Sequence, residues 1–180
     1  HRICKQADTV LAYYILEDAQ DIGTMRQSFH YYEKITTHDS SLSQPIFSIV
    51  AARLGMEEKA YRYFGDSAKL DLWNLYHNTE DGIHTANMAG TFMTIVYGFG
   101  GFRLKEQGIS FWPILPTQWE RYSFRIMFEG SRIKVFVTEK ECVLTLEKGK
   151  SKMVALYGTS YRLEDRLVVK RPDKSKKRKG

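Results

Sequence analysis

The spacing of the apolar residues changes once along this chain, near residue 105, and that change limits the folds open to it. Before residue 105, apolar side chains recur every three or four positions, which is typical of amphipathic helices. After Gly100 and Gly101, apolar and polar side chains alternate, which is typical of half-buried strands. The sequence therefore predicts an α+β fold, with helices followed by a small antiparallel β-module.

Five helices and five strands are predicted from these patterns. A hairpin turn at residues 129–131 connects the first two strands, and Pro113 and Pro116 predict a rigid, extended connection between the helical and β parts. The predicted helices cover residues 10–16, 25–34, 46–55, 56–72 and 88–99, and the predicted strands cover residues 124–128, 133–137, 143–146, 153–157 and 167–169.

The positive charge is concentrated at one end of the sequence. The formal net charge is +6, and residues 171–180 hold six basic side chains against the single acid Asp173, a balance of +5 that leaves +1 for the rest. Terminal blocks of like charge are usually solvated, so residues 171–180 are predicted to be a basic disordered tail. Nucleic acid is not expected as a partner, because no aromatic residue lies among these lysines to stack on bases.

Other features limit the setting of the protein. Membrane spans need about 18 apolar residues, and the chain has no such run and no signal sequence at its start, so we expect a cytoplasmic protein without a membrane partner. Cys4 and Cys142 match no metal spacing and are expected to be reduced thiols, and the five histidines predict no metal site. Because the chain opens with His1 and no polar lead-in, we expect a fragment of a longer protein.

The loop before the third predicted helix carries the richest set of hydroxyl groups. It reads Thr-His-Asp-Ser-Ser-Leu-Ser over residues 37–43, and Pro45 follows in the first helical turn. Hydroxyls and free backbone N–H groups at a helix start form a site for anions. Ser43 could instead be a simple N-cap, which would leave Ser40 and Ser41 unexplained. The sequence favours anion binding and simple capping about equally.

Two further polar segments lead into helices. His84 ends the loop of residues 78–84, where an imidazole at a helix start can donate a hydrogen bond to an anion. Lys5 and Gln6 open the first helix, where donors and acceptors together can bind sugar hydroxyls. The alternatives are a histidine that only holds its loop and a Lys-Gln pair that only faces solvent.

Four segments of this sequence resemble, in order and spacing, the disaccharide phosphorylases of glycoside hydrolase family 65. The segment at residues 111–135, FWPILPTQWERYSFRIMFEGSRIKV, is similar to the C-terminal β-module of that family. The four segments are KQAD at residues 5–8, THDSSLS at 37–43, NTEDGIHTANMAG at 78–90 and YGFGGFRL at 97–104.

The resemblance implies a fold and a reaction. Residues 1–104 would be the C-terminal helices of an (α/α)6 catalytic barrel, and residues 105–170 a small, β-sandwich-like antiparallel module. The implied reaction is inverting phosphorolysis of an α-linked glucose disaccharide, in which a carboxylic acid protonates the glycosidic oxygen and inorganic phosphate attacks from the opposite face. The products are β-glucose 1-phosphate and a sugar. Phosphate is a co-substrate, no cofactor is implied, and the full-length relatives are often homodimers.

The resemblance also implies roles for individual residues. Ser40 and Ser41 match the phosphate-binding serines of the family, and His84 matches its phosphate-binding histidine. Lys5 and Gln6 match the pair that contacts the sugar whose bond is cleaved. The general acid of the family is a glutamate upstream of that pair, and no residue here matches it. The chain is therefore expected to hold no catalytic acid and to be inactive by itself.

Two other functions remain open. A hydrolase of the same fold would use Asp39 or Glu80 as the base that activates water, although the paired serines and His84 favour phosphate. A non-catalytic module could instead bind carbohydrate or a protein partner.

Overall fold

The computed structural model describes residues 3–77, 79–105 and 108–172, and it has two compact units. The helical unit extends to Gly98, and the β unit begins at Phe99. The α-helices lie in the first and the strands in the second, so the predicted α+β fold is confirmed. Residues 173–180, which form most of the predicted basic tail, lie outside the described residues, as does Asn78 of the predicted polar loop.

The described part of the helical unit has an α-helix in each of the five predicted places. A π-helical turn, Thr94–Phe99, continues the fifth, and short 3-10 turns lie at Glu17–Ala19 and Thr79–Asp81. None of these helices is both long and apolar enough to cross a membrane. The helices are α1 (Asp8–Ile15), α2 (Ile22–Ile35), α3 (Ser43–Arg53), α4 (Glu57–Lys69) and α5 (Thr85–Met93).

Helix α3 is the centre of the helical unit. Nine of its eleven residues are buried, which is the environment of a helix that is apolar on all sides. It contacts α1, α2, α4 and α5. The Ser48 hydroxyl donates a 2.6 Å hydrogen bond to the carbonyl of Ala60 on α4, and Phe47 packs on Phe29 of α2. The other four α-helices therefore pack around α3.

Helices α3 and α5 run in the same sense. Gly90, in α5, lies so close to Pro45 that an added Cβ would be 2.7 Å from the ring of Pro45. Two turns later, Gly98 lies against the backbone of Ile49. Because residue numbers rise together along both contacts, the N-termini of α3 and α5 face the same end of the helical unit.

Within residues 99–105 and 108–172, the β unit consists of two four-stranded sheets. The first has the order β1-β2-β6-β7 and the second the order β3-β4-β5-β8. The strands are β1 (Arg103–Lys105), β2 (Gly108–Phe111), β3 (Arg121–Phe128), β4 (Ser131–Thr138), β5 (Glu141–Lys148), β6 (Lys152–Leu156), β7 (Thr159–Leu163) and β8 (Arg166–Lys170).

The β unit is not wholly antiparallel, as the sequence predicted, because β2 pairs with β6 in parallel. After β2 the chain leaves the first sheet, forms β3, β4 and β5 in the second, and returns beside β2. A connection of this length is what a parallel pair requires. All other neighbouring strands in the two sheets are antiparallel.

The turn between β3 and β4 is the predicted hairpin. Glu129 and Gly130 have φ angles of 44° and 75°, the positive values of a tight two-residue turn that suits the strand twist. The alternation in β4 buries Ile133, Val135 and Val137. Register and turn therefore follow from the local sequence.

The two prolines do not connect the two units, so that prediction is wrong. Pro113 and Pro116 lie inside the β unit, between β2 and β3. Between them, Ile114 donates a hydrogen bond of 2.8 Å to the carbonyl of Phe99, and the Tyr122 hydroxyl lies 2.8 Å from the same carbonyl. These hydrogen bonds hold the segment within the β unit.

Candidate functional site

Lys5 and Gln6 lie in the turn before α1 and are exposed. The preceding residue, Cys4, pairs with the segment after α2, since its N–H donates to the Ile35 carbonyl and its own carbonyl accepts from the Thr37 N–H, both at 2.9 Å. This pairing holds the Lys-Gln turn beside the start of the Thr37–Ser43 loop. A cavity of about 200 Å³ lies there, lined by residues 4–10 with Tyr32 and Thr36.

Ser40 and Ser41 lie in the turn that leads into α3, and both are half-buried. The Ser40 carbonyl accepts a 3.0 Å hydrogen bond from the Ser43 N–H, and its hydroxyl oxygen lies 3.4 Å from the N–H of Leu42. The Ser40 hydroxyl therefore turns toward the start of the helix.

Ser43 does not cap α3, so the simple capping interpretation is wrong for that residue. The N-cap is Leu42, whose backbone is already helical, and Ser43 is the first residue of the helix. Its hydroxyl is fully buried and forms no hydrogen bond with the residues that the structure describes. Helical backbone at Leu42 turns the Ser43 side chain into the unit instead of back across the helix end.

His38 is a packing residue within the same loop. Its backbone has a φ of 58°, and its ring packs edge-on against Phe47, with ring centroids 4.7 Å apart, and tilted against Tyr63 at 5.5 Å. Burial lowers the pKa of His38, which favours the neutral ring. Its carbonyl accepts a 3.1 Å hydrogen bond from the Tyr76 hydroxyl. His38 thus fixes the loop that carries the two serines.

His84 occupies the N-cap position of α5 and is held by Asp71. One carboxylate oxygen of Asp71 accepts the His84 backbone N–H at 3.0 Å, and the other lies 2.6 Å from the ring nitrogen Nδ1. These hydrogen bonds lower the pKa of Asp71, so the group is a carboxylate that accepts from a protonated Nδ1. The ring nitrogen on the opposite side from Asp71 is Nε2.

Asp71 and Tyr76 belong to one turn, residues 70–77, which follows α4. Asp71 reaches His84, and Tyr76 reaches the backbone of His38. The sequence pattern did not single out either residue, because their partners lie 13 and 38 positions away and no local spacing indicates such contacts. The only sequence signal for these contacts was the presence of a carboxylate, Asp71, and an aromatic residue, Tyr76, near the end of the predicted helix.

Hydrogen bonds therefore join the three segments that carry the predicted site residues. Hydrogen bonds of Cys4 connect the Lys-Gln turn to the Thr37–Ser43 loop, and residues 70–77 connect that loop to the segment of His84.

The two candidate bases of the hydrolase alternative, Asp39 and Glu80, are exposed, and Asp39 accepts a hydrogen bond from the Thr37 hydroxyl. No group of three potential metal ligands occurs within residues 3–77, 79–105 and 108–172.

Comparisons with known families match both units. Residues 1–93 match the family model described as the glycosyl hydrolase family 65 central catalytic domain. Residues 102–163 match the model of the glycosyl hydrolase family 65 C-terminal domain.

Several curated relatives are phosphorylases. The chain is 53% identical over 163 residues to an alpha,alpha-trehalose phosphorylase of Geobacillus stearothermophilus, a match that covers 91% of this chain and 21% of the relative. It is 37% identical over 169 residues to the maltose phosphorylase of Bacillus subtilis, covering 94% of this chain and 22% of the relative. The chain thus spans about a fifth of the length of these relatives.

A solved structure also resembles this chain. It is described as a kojibiose phosphorylase from the human microbiome, and it superposes with a TM-score of 0.90 at 33% sequence identity. The match covers 95% of this chain and 25% of the other.

Proposed function

We propose, because the chain belongs to glycoside hydrolase family 65, that it is the C-terminal portion of an inverting disaccharide phosphorylase. The complete protein would cleave an α-linked glucose disaccharide with inorganic phosphate and release β-glucose 1-phosphate and a sugar. Its partners in the reaction are the disaccharide and phosphate. The helical unit would supply the last helices of an (α/α)6 barrel, and the β unit the C-terminal module.

The observation that carries the proposal is the shared direction of α3 and α5. Their N-termini face one end of the helical unit, where the positive ends of the helix dipoles favour an anion. Ser40 and Ser41 precede one helix start, and His84 lies at the other. Backbone amides, hydroxyls and an imidazole are the donors that a phosphate dianion requires.

This donor set suits phosphorolysis better than hydrolysis. An inverting hydrolase needs a second carboxylate to remove a proton from water, whereas phosphate is already an anionic nucleophile. In our proposal the Ser40 and Ser41 hydroxyls and Nε2 of His84 donate to the phosphate oxygens and aim one of them at the anomeric carbon. A carboxylate close to that position would repel the nucleophile.

Lys5 and Gln6 would bind the hydroxyls of the glucose ring whose bond breaks. The pairing of Cys4 with residues 35–37 supports this role, because it holds them beside the serine loop. The proton for the leaving sugar would come from a glutamate outside this chain. We therefore expect the isolated 180 residues to bind but not to cleave a disaccharide.

The test measures sugar release by the full-length protein on a panel of α-linked glucose disaccharides, with and without phosphate. We expect release to require phosphate and β-glucose 1-phosphate to appear in equal amount. Replacing Ser40 or His84 by alanine should raise the KM for phosphate at least tenfold, about 1.4 kcal/mol. Release of two free sugars without phosphate would establish the hydrolase, and no cleavage of any disaccharide would favour a binding module.

A further inference from the structure

We propose that Asp71 is a positioning residue that holds the His84 imidazole in the orientation required to bind phosphate. The proposal rests on the proposed function, because it assigns to Asp71 an effect on the phosphate site. Its geometric basis is the two-point contact of one carboxylate with the backbone N–H and with Nδ1 of the same histidine, at 3.0 Å and 2.6 Å.

The turn that carries Asp71 is well anchored. Leu70, just before it, is only 1% exposed, and its carbonyl accepts a 3.0 Å hydrogen bond from the Leu75 N–H. Trp73 donates its N–H to the Lys69 carbonyl at 2.8 Å, and the Lys69 ammonium lies over its ring. The carboxylate is therefore fixed by α4 and not by the loop that carries His84.

The two contacts of Asp71 together fix both the backbone and the ring of His84. The bond to the backbone N–H fixes the N-cap of α5, and the bond to Nδ1 fixes the rotation of the imidazole about its side-chain torsions. Because a carboxylate only accepts hydrogen bonds, Nδ1 must carry a proton. Nε2 is then the nitrogen that meets a ligand, in a fixed direction from the helix start.

The protonated form of the ring is the form that donates to phosphate. In that form Nε2 also carries a proton, while Nδ1 keeps its 2.6 Å contact with the Asp71 carboxylate. A charged donor binds a phosphate oxygen about twice as strongly as a neutral one.

The chemistry predicts a selective defect. Asparagine at position 71 has nearly the same shape and its amide oxygen can still accept the backbone N–H, but its NH2 group only donates and cannot accept a hydrogen bond from Nδ1. We expect Asp71→Asn in the full-length protein to raise the KM for phosphate about tenfold and to leave the KM for the disaccharide within about twofold. A residue that only supports the fold would change both constants together or lower the thermal stability.

A double-mutant cycle tests whether Asp71 acts through His84. In a His84→Ala background, Asp71→Asn should change the phosphate KM by less than about twofold. A full tenfold effect in that background would overturn the proposal, as would an unchanged phosphate KM in the single variant. Asp81→Asn is the matched control, because it removes an exposed carboxylate three residues before His84.

The outcomes separate this inference from the proposed function. If the unsubstituted protein shows no phosphate-dependent cleavage, the proposed function fails. If it does, and Asp71→Asn matches Asp81→Asn in phosphate KM, only the role of Asp71 fails. Should Asp71→Asn not fold, Asp71→Glu provides the same comparison, since the added methylene moves the carboxylate away from Nδ1. A raised phosphate KM is then expected, and an unchanged one overturns the proposal.

Discussion

Gly90 lies where α5 meets α3, and we expect alanine at this position to destabilise the helical unit. The added Cβ would lie 2.7 Å from Cγ and 2.8 Å from Cβ of Pro45, closer than van der Waals contact permits. The proline cannot rotate away, because its ring is closed onto the backbone and the residue is buried in α3. One of the two helices must therefore shift.

The magnitude follows from two opposing terms. Replacing glycine by alanine inside a helix ordinarily stabilises it by about 0.8–1.0 kcal/mol, whereas overpacking costs roughly 1–3 kcal/mol. Gly65 in α4 supplies a matched control, because no atom lies within 4 Å of its added Cβ. Gly65→Ala should therefore show only the stabilisation expected when alanine replaces glycine inside a helix. The difference between the two variants, roughly 1–3 kcal/mol, then measures the Gly90 contact with Pro45.

The assay is urea unfolding followed by far-UV circular dichroism, which reports the helices and hence the helical unit. We expect Gly65→Ala to raise the free energy of unfolding and Gly90→Ala to leave it unchanged or lower it by up to about 2 kcal/mol. Equal stabilisation by both substitutions would refute the reasoning. It would mean that α3 and α5 are farther apart than described. The conclusion that their N-termini face the same end of the helical unit would then lose its main evidence.

Two further predictions use the titrating groups. Burial raises the pKa of the Cys142 thiol to about 12. Iodoacetamide at neutral pH should therefore label the half-buried Cys4 first and Cys142 only after denaturation. Equal labelling rates of the two thiols, measured by mass spectrometry, would contradict this. Burial alone would raise the pKa of Glu33, but hydrogen bonds from Lys59 and Tyr63 lower it from its ordinary value of 4.5. The stabilisation from this pairing is fully present above pH 4.5 and is lost as the pH falls through the lowered pKa of Glu33. Glu33→Gln should therefore reduce the loss of unfolding free energy with falling pH in the acid range. An unchanged pH dependence would argue against the pairing.

Much of the fold could be predicted from the sequence, because its signals are local. The five helices follow from apolar residues repeated within one or two turns, and the β3–β4 hairpin follows from alternation around Gly130. The strands β1, β2 and β7 were not predicted. Strands β1 and β2 have three and four residues, too few to show an alternation, and β7 holds only two apolar side chains, Tyr161 and Leu163. Their existence depends on partners elsewhere in the chain.

The site could be predicted only in part. Ser40, Ser41 and His84 were found from hydroxyl and imidazole groups near helix starts, and their roles stay predictions. The orientation of Ser43 depends on which residue begins α3, and that boundary is set by packing. Asp71 lies 13 positions from the histidine that it holds, so only the tertiary structure shows the contact.

The parallel pairing of β2 with β6 sets an order in which the β unit can form. Strands β3, β4 and β5 are neighbours in sequence and can pair as soon as each is synthesised, since closing short loops costs little entropy. Strand β2 ends at Phe111, and β6 begins only at Lys152. During translation, one edge of β2 therefore remains open while the other sheet assembles. A chain that ends before Lys152 would keep that edge exposed and prone to pair with other chains.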